Sequence, residues 1–331
     1  MRVLVLGGGD FVGRAIVDDA VARGWHVTAL NRGRSDAHPA TTALVGDRRA
    51  PEGLDALGDG EWDLVVDTWS WAPSVVRDSA TALAGRAGHY SYISSRSVYA
   101  YPTAAGADET APVVEASAGA GDGDYAGMKA GGELAVTESF HERALLIRAG
   151  LILGPRENIG RLPWWLGRMA RGGDVLVPGP PDLTMQYVDA RDLAAFTLDA
   201  AARGLGGAYN VVSEPGATTM RQAYELCATV TGSRSVLHWA DPDFLLAQGV
   251  EPWTQLPFWL PPGEAHDTLH RADVSKALAA GLTIRLLAET VEDTWLWLQR
   301  IGGAEPLRPD RPPVGLDPEV EARLLSIHGR P

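Results

Sequence analysis

The chain has 331 residues, a formal net charge of -13 and one cysteine, Cys227, with the apolar and charged shares of an ordinary globular protein. An acidic balance without a local basic face argues against nucleic acid, and a single cysteine excludes a disulfide framework and a cysteine-based zinc site; no metal is expected. No apolar run of about 18 residues is present to cross a membrane, and the N-terminus lacks an export pattern, so the chain reads as cytoplasmic.

Met1 to Leu6 is apolar apart from Arg2, and Gly7-Gly8-Gly9-Asp10-Phe11-Val12-Gly13 follows directly before a helical pattern. That order predicts strand, tight turn and helix. Glycines there let backbone approach a bulky anion, and the helix N-terminus favours its charge, so Gly7, Gly9, Asp10, Phe11, Val12 and Gly13 are candidates for holding a dinucleotide pyrophosphate. Arg14 to Arg23 has helical spacing closed by Gly24, and Trp25 to Leu30 reads as a second strand. The unit is βαβ.

At the end of the second strand, an acid would select NAD through the ribose hydroxyls. This chain has Asn31-Arg32 there, with Arg34 close behind, and guanidinium suits a 2′-phosphate. NADP(H) is favoured and NAD(H) remains possible.

Ala43 to Val45 reads as a third strand ending at Gly46-Asp47, with Asp47 as an acceptor for adenine and Arg48 beside it. Trp62 to Asp67 is the fourth, Pro73 to Ala84 an amphipathic helix and His89 to Ser94 the fifth strand. The alternation predicts an α/β fold, a doubly wound parallel Rossmann sheet with a smaller C-terminal α/β substrate-binding region. Ligands bind beyond the carboxyl ends of such strands, so Thr68, Trp69, Ser70, Ser94 and Ser95 should line one crevice. Residues 96–124 form a long, irregular loop of the kind used as a lid. A helix from Tyr125 to Phe140, a strand over Ala144 to Arg148 and a loop over Gly150 to Arg161 follow. Beyond come a helix at Leu162 to Arg171, strands at Gln186 to Asp189 and Tyr209 to Val212, and helices at Ala190 to Ala202 and Met220 to Thr231. The expected domains are residues 1–160, with 184–216 returning, for NADP, and 161–183 with 217–300 for substrate. Residues 301–331 read as a proline-rich tail with a short helix from Pro318, capped by Asp317.

Tyr125 and Lys129 lie four residues apart on one helix face, and Lys129 and Lys276 are the only lysines. An ammonium about 4 Å from a phenol, at an effective dielectric near 20, favours phenolate by about 4 kcal/mol. Tyr125 is therefore the expected acid or base, and Ser95 the group holding the substrate oxygen, with Ser94 and Ser97 as alternatives. Trp69, Trp71, Trp164 and Trp165 suit either an aromatic wall or core. Arg156, Arg161 or Arg271 would meet a phosphate or carboxylate, and Arg96 and Gln186 complete the substrate-binding candidates.

Together, Gly7 and Gly13 after the first strand, Tyr-Ile-Ser-Ser-Arg-Ser-Val-Tyr around Ser95, Tyr125-x-x-x-Lys129, Arg148 with Gly154-Pro155, and Val188-Asp189-x-Arg191-Asp192 resemble the extended short-chain dehydrogenase/reductases, the NAD-dependent epimerase/dehydratase type. The resemblance covers residues 1 to about 300 and implies Tyr125 as catalytic acid/base, Lys129 on the nicotinamide ribose, and Ser95 on the substrate oxygen. It also implies a homodimer through the helices at Val75–Ala84 and Tyr125–Phe140. Asp10 replaces a glycine of the motif, placing a carboxylate near the pyrophosphate or capping the helix through Val12 or Gly13, and either way should weaken cofactor binding electrostatically. Trp69 stands where a small residue is common. Arg96-Ser97 replace the Asp-Glu pair of a sugar dehydratase, which removes that reading. An NADPH-dependent carbonyl reductase of a sugar-like or other small ketone is expected ahead of an epimerase with retained cofactor. A non-catalytic nucleotide sensor or RNA-associated protein is the reading of another class.

Overall fold

The structure is a computed structural model and describes residues 1–34, 36–304, 307–309 and 311–328. Seven strands form one parallel sheet: β1 (Arg2–Leu6), β2 (His26–Asn31), β3 (Thr42–Val45), β4 (Trp62–Asp67), β5 (Ala87–Ser95), β6 (Ala144–Ala149) and, later in the chain, Gly207–Val211. From one edge the order is β3-β2-β1-β4-β5-β6 and then the Gly207–Val211 strand. Direction along the sheet reverses between β1 and β4, which opens the crevice of doubly wound sheets beyond their carboxyl ends. Leu6 pairs with both Leu30 and Asp67, so Gly7, Asn31 and Thr68 emerge side by side.

Both faces of the sheet are covered, which is why β1 is apolar and buried from Val3 to Leu6. Val3 and Val5 point to a cluster with Ile16, Val17 and Ala20 of α1 (Phe11–Ala22) and Leu193 and Leu198 further on. Leu4 and Leu6 point the other way, to Val76, Ala80 and Leu83 of α2 (Pro73–Leu83) and Val136 and Phe140 of α3 (Tyr125–Phe140). The segment 150–161, expected as loop, contains β7 (Leu151–Leu153). So short a run shows no alternation in sequence; its pairing with a later strand, Tyr187–Asp189, defines it.

A separate core builds the C-terminal part. α4 (Arg161–Ala170) and β8 (Gly173–Pro178) pack with later helices around Trp165, Tyr224 and Trp259. β9 (Thr184–Met185) and β10 (Tyr187–Asp189) lead into α5 (Ala190–Ala202), β11 (Gly207–Val211), β12 (Thr218–Thr219), α6 (Met220–Thr231) and β13 (Ser235–Ala240), which pairs in parallel with β8. After α7 (Pro242–Ala247), α8 (Glu264–His270) and α9 (Ser275–Ala279), α10 (Leu287–Arg300) packs on α6 and α4. The final helix, α11 (Pro318–His328), starts where expected, with Asp317 accepting hydrogen bonds from the Glu319 and Val320 amides. It is no loose appendage: Leu316 and Leu324 enter the C-terminal core, and Glu321 forms a buried ion pair with Arg168 of α4, whose Nε donates to both carboxylate oxygens at 2.6 and 2.9 Å. Residues 305, 306, 310 and 329–331 of the expected tail lie outside the described residues. No helix among the described residues is long and apolar enough to cross a membrane.

Candidate active site

One crevice of about 1080 Å³ runs along the carboxyl ends of β1, β2, β4 and β5, at the upper end of the range of roughly 300–1,000 Å³ for small-molecule pockets. Its floor is the glycine turn. Gly7 has φ +99, and a Cβ there would lie 2.3 Å from Thr68 Oγ1; a Cβ on Gly13 would lie 1.9 Å from the Gly7 carbonyl. Only glycine fits either place, and the absent side chains leave the first turn of α1 open to an anion. A dinucleotide therefore fits this cradle. Asp10 lines the crevice at the N-cap position of α1, but its side chain makes no capping bond, so the expected link to Val12 or Gly13 is absent. Gly9, Phe11, Val12, Asn31, Arg32 and Arg34 line the same end. Neither Arg32 nor Arg34 makes an ion pair among the described residues.

Asp47 lies apart from these groups. It is exposed, accepts from the Arg49 amide, and is not part of the crevice wall. Its neighbour Arg48 does line the crevice, yet its guanidinium is committed to the buried Asp67 at 2.7 and 2.8 Å and to Ser79 at 2.9 Å. Burial by itself would raise the Asp67 carboxyl; the facing Arg48 overrides this and holds it below the usual carboxylate range. The Arg48 and Arg49 guanidiniums lie 4.9 and 5.5 Å from the Trp69 ring centre, and its indole N–H donates to the Ala72 carbonyl. The ring thus buttresses this ion pair at the wall.

Lys129, on the same helix as Tyr125, also lines the crevice. Its ammonium makes no hydrogen bond to Tyr125; it donates to the carbonyls of Trp69 at 2.7 Å and Ile93 at 2.6 Å, above the Tyr92 ring. The side chain is buried, and burial pushes its pKa down to about 7, with Arg311 and Arg308 adding to the fall and Asp67 and Glu133 opposing it. Tyr125 opens α3, whose N-terminus Asp124 caps through the Gly127 amide. Tyr125 lines the crevice, and its hydroxyl has no hydrogen-bond partner among the described residues.

Ser95 ends β5 in the crevice, its hydroxyl bonded to Ser97 Oγ at 3.1 Å. Ser94 is buried and spent on Glu133, which in turn holds Arg148. Trp71 and Arg156 line the crevice as expected. Arg96 reaches the wall too, but two of its donors go to the Thr268 and Leu269 carbonyls, tying β5 to α8. Three substrate candidates fall away from the crevice. Gln186 is fully buried, with its amide satisfied by Ser213 and Ala272 backbone. Arg271 is exposed and pairs with Asp267, and Trp164 packs edge-on against Trp165 and under Gly315.

The residues the sequence reading missed are in the tail and the C-terminal part: Trp253, Trp297, Leu307, Arg308 and Arg311 all line the crevice. Arg311 lies 5.3 Å from the Tyr125 ring centre and 5.0 Å from that of Trp71. The sequence does carry a signal for this, since a capped helix with apolar residues after a proline-rich stretch needs a surface to dock on.

The family model of the NAD-dependent epimerases/dehydratases matches residues 3–212. Among solved structures, UDP-N-acetylglucosamine 4-epimerase from Bacillus cereus is 16% identical with a TM-score of 0.67, covering 90% of this chain and 99% of its own. UDP-glucose 4-epimerase of Thermus thermophilus, in complex with NAD, is 23% identical with a TM-score of 0.64 over 90% and 99% of the two chains. UDP-glucuronic acid 4-epimerase from Bacillus cereus, also with NAD, is 15% identical with a TM-score of 0.66 over 91% and 99%. No curated protein matches in sequence. These likenesses concern the fold. The glycine turn, the reversal of strand order at β1 and β4, and a family match over most of the chain have one conclusion: the protein belongs to the NAD-dependent epimerase/dehydratase family.

Proposed function

We propose that the protein is an NADP(H)-dependent oxidoreductase that delivers hydride to a carbonyl carbon of a small molecule, with Tyr125 transferring the proton. The observation that carries this reading is the convergence of the glycine turn, Ser95, Tyr125 and Lys129, distant in the chain, on one crevice. When bound, the dinucleotide supplies the hydride. Tyr125 has a hydroxyl with no competing partner among the described residues, so it is free to donate to the developing alkoxide. Ser95 holds the same oxygen by turning its hydroxyl from Ser97. Lys129 spends two of its three donors on backbone, leaving one for a ribose hydroxyl. Arg32 and Arg34, with no ion-pair partner among the described residues at the end of β2, support the 2′-phosphate of NADP over NAD.

A second reading is epimerisation with a retained cofactor, supported by solved neighbours that are 4-epimerases and by tail residues that line the crevice. The test is a nicotinamide-fluorescence titration with NADPH and NADH, followed by a carbonyl screen. Stoichiometric NADPH consumption supports reduction; turnover with no net consumption supports epimerisation. NADPH binding with no turnover on any carbonyl or sugar substrate refutes both. A cytoplasmic location and a homodimer through α2 and α3 complete the proposal.

A further inference from the structure

We propose that Arg311, brought in by the tail, is a positioning residue for Tyr125: its guanidinium holds the phenol ring at the crevice wall, a task that Lys129 does not perform in this chain. This rests on the hydride-transfer reading only in taking Tyr125 as the proton donor.

The phenol needs a support from outside its own helix. A helical side chain leans back over the turn before it, and Tyr125, as the first residue of α3, has no such turn. Asp124, which precedes it, accepts from the Gly127 amide. Lys129, one turn along, donates to the Trp69 and Ile93 carbonyls, and the Tyr125 hydroxyl has no hydrogen-bond partner among the described residues. A phenol fixed by its backbone alone is free to change rotamer, and a general acid displaced by even a short distance loses much of its effect.

Arg311 fills this gap. Its guanidinium carbon lies 5.3 Å from the Tyr125 ring centre and 5.0 Å from that of Trp71, both inside the reach of about 6 Å for a cation on an aromatic ring. All three side chains line the crevice. Trp71 stands on the connection between β4 and α2, so one planar cation joins that connection to the start of α3.

The placement of Arg311 does not serve the stability of the tail. Arg311 makes no ion pair among the described residues, and its Nε is buried without an acceptor there, a condition that costs free energy. Other contacts hold the backbone in spite of that cost. The Arg308 amide donates to the Asn158 carbonyl at 3.0 Å, the Arg311 amide to the Arg308 carbonyl at 3.3 Å, and the Gly315 amide to the Thr254 carbonyl at 2.8 Å. Further along, Leu316 enters the C-terminal core and Glu321 pairs with Arg168. Pro309, Pro312 and Pro313 lie on either side of Arg311 and restrict its backbone. The guanidinium is therefore presented to Tyr125 from a fixed support.

The test is fluorine NMR of the full chain with 3-fluorotyrosine in place of its eight tyrosines, which needs no substrate. The Tyr125 resonance is the one missing from Tyr125→Phe. Arg311→Ala should move it toward the position of free 3-fluorotyrosine and narrow it, with the thermal melt unaltered. Arg311→Lys, which keeps the charge but not the planar face, should recover only part of the shift, and Lys129→Met should move the resonance less than Arg311→Ala does. On a carbonyl that the NADPH screen shows to be turned over, Arg311→Ala should lower kcat about 10–100-fold at unchanged KM. A Tyr125 resonance that stays in place in Arg311→Ala overturns the proposal. So does one that Arg311→Lys restores in full, since charge alone is then the cause, and so does one that moves further in Lys129→Met. If the screen finds no turnover, the hydride-transfer reading fails, while the resonance still decides whether Arg311 holds Tyr125.

Discussion

Replacing Lys129 by methionine separates the cost of burying an ammonium from everything else at the site. In the fold its pKa is pushed down to about 7, against an ordinary value of 10.5, first by burial and then by Arg311 and Arg308. Between those two pH values the unfolded chain binds a proton that the folded chain has released, so stability rises with pH by about 1.4 kcal/mol per unit. Below about 7 both states are protonated and the whole burial cost is felt; above 10.5 neither is, and it vanishes. From about pH 7.5 to about 9.5 the wild type should gain about 2.7 kcal/mol relative to Lys129→Met, or about 4 °C of Tm for a chain this long. The variant also leaves the Trp69 and Ile93 carbonyls without a donor, which costs about 1–3 kcal/mol each but does not vary with pH. Urea denaturation of both proteins at a series of pH values gives the difference curve. Parallel curves, with a constant offset, would mean that the ammonium keeps its ordinary pKa and that the burial reasoning is wrong.

Tyr125→Phe should lower kcat by about 10²–10⁴-fold, the usual worth of a general acid, with NADPH affinity unchanged by fluorescence titration. Arg32→Ala with Arg34→Ala should erase the preference for NADPH over NADH in the same titration, leaving NADH binding as it was. Glu321→Ala strands the buried Arg168 and should cost about 3–5 kcal/mol in urea, while trypsin cleavage at Arg308 and Arg311 accelerates as the tail loses its anchor. His270 is fully buried, and burial pushes its pKa down to about 3 from 6.5, so the unfolded chain takes up the proton first as pH falls. Between about pH 6.5 and about 4.5 the wild type should lose about 2.3 kcal/mol more stability than His270→Leu, read by urea denaturation.

What the sequence made legible was local. The βαβ unit, the glycines at Gly7 and Gly13, and the Tyr125–Lys129 spacing each depend on neighbours within one turn or one strand, and patterns of that range survive without coordinates. Lys129 escaped because its direction depends on where the carbonyls of Trp69 and Ile93 arrive, which is a property of the packed sheet. Arg48 looked like a cofactor ligand until Asp67, on another strand, claimed it. Gln186 looked exposed to substrate for the same reason: a polar residue before a strand gives no hint that Ser213 and Ala272 backbone will enclose it. The tail escaped most completely, since proline-rich sequence has no period, and the helix that follows it is held by Arg168 and Glu321, 153 residues apart.

The tail and the buried lysine act on each other through charge. Arg311 and Arg308 each depress the Lys129 pKa, after the larger effect of burial. An anion bound in the crevice near Lys129 puts negative charge into the same region and favours the ammonium form. By linkage, the proton on Lys129 and the anion then strengthen each other's binding, and the coupling is the same whichever arrives first. Anion affinity therefore falls as pH rises through about 7, the range in which the free protein releases this proton. Nine of the chain's 29 lysines and arginines line this one crevice, so a net charge of -13 says nothing about the field a substrate meets there.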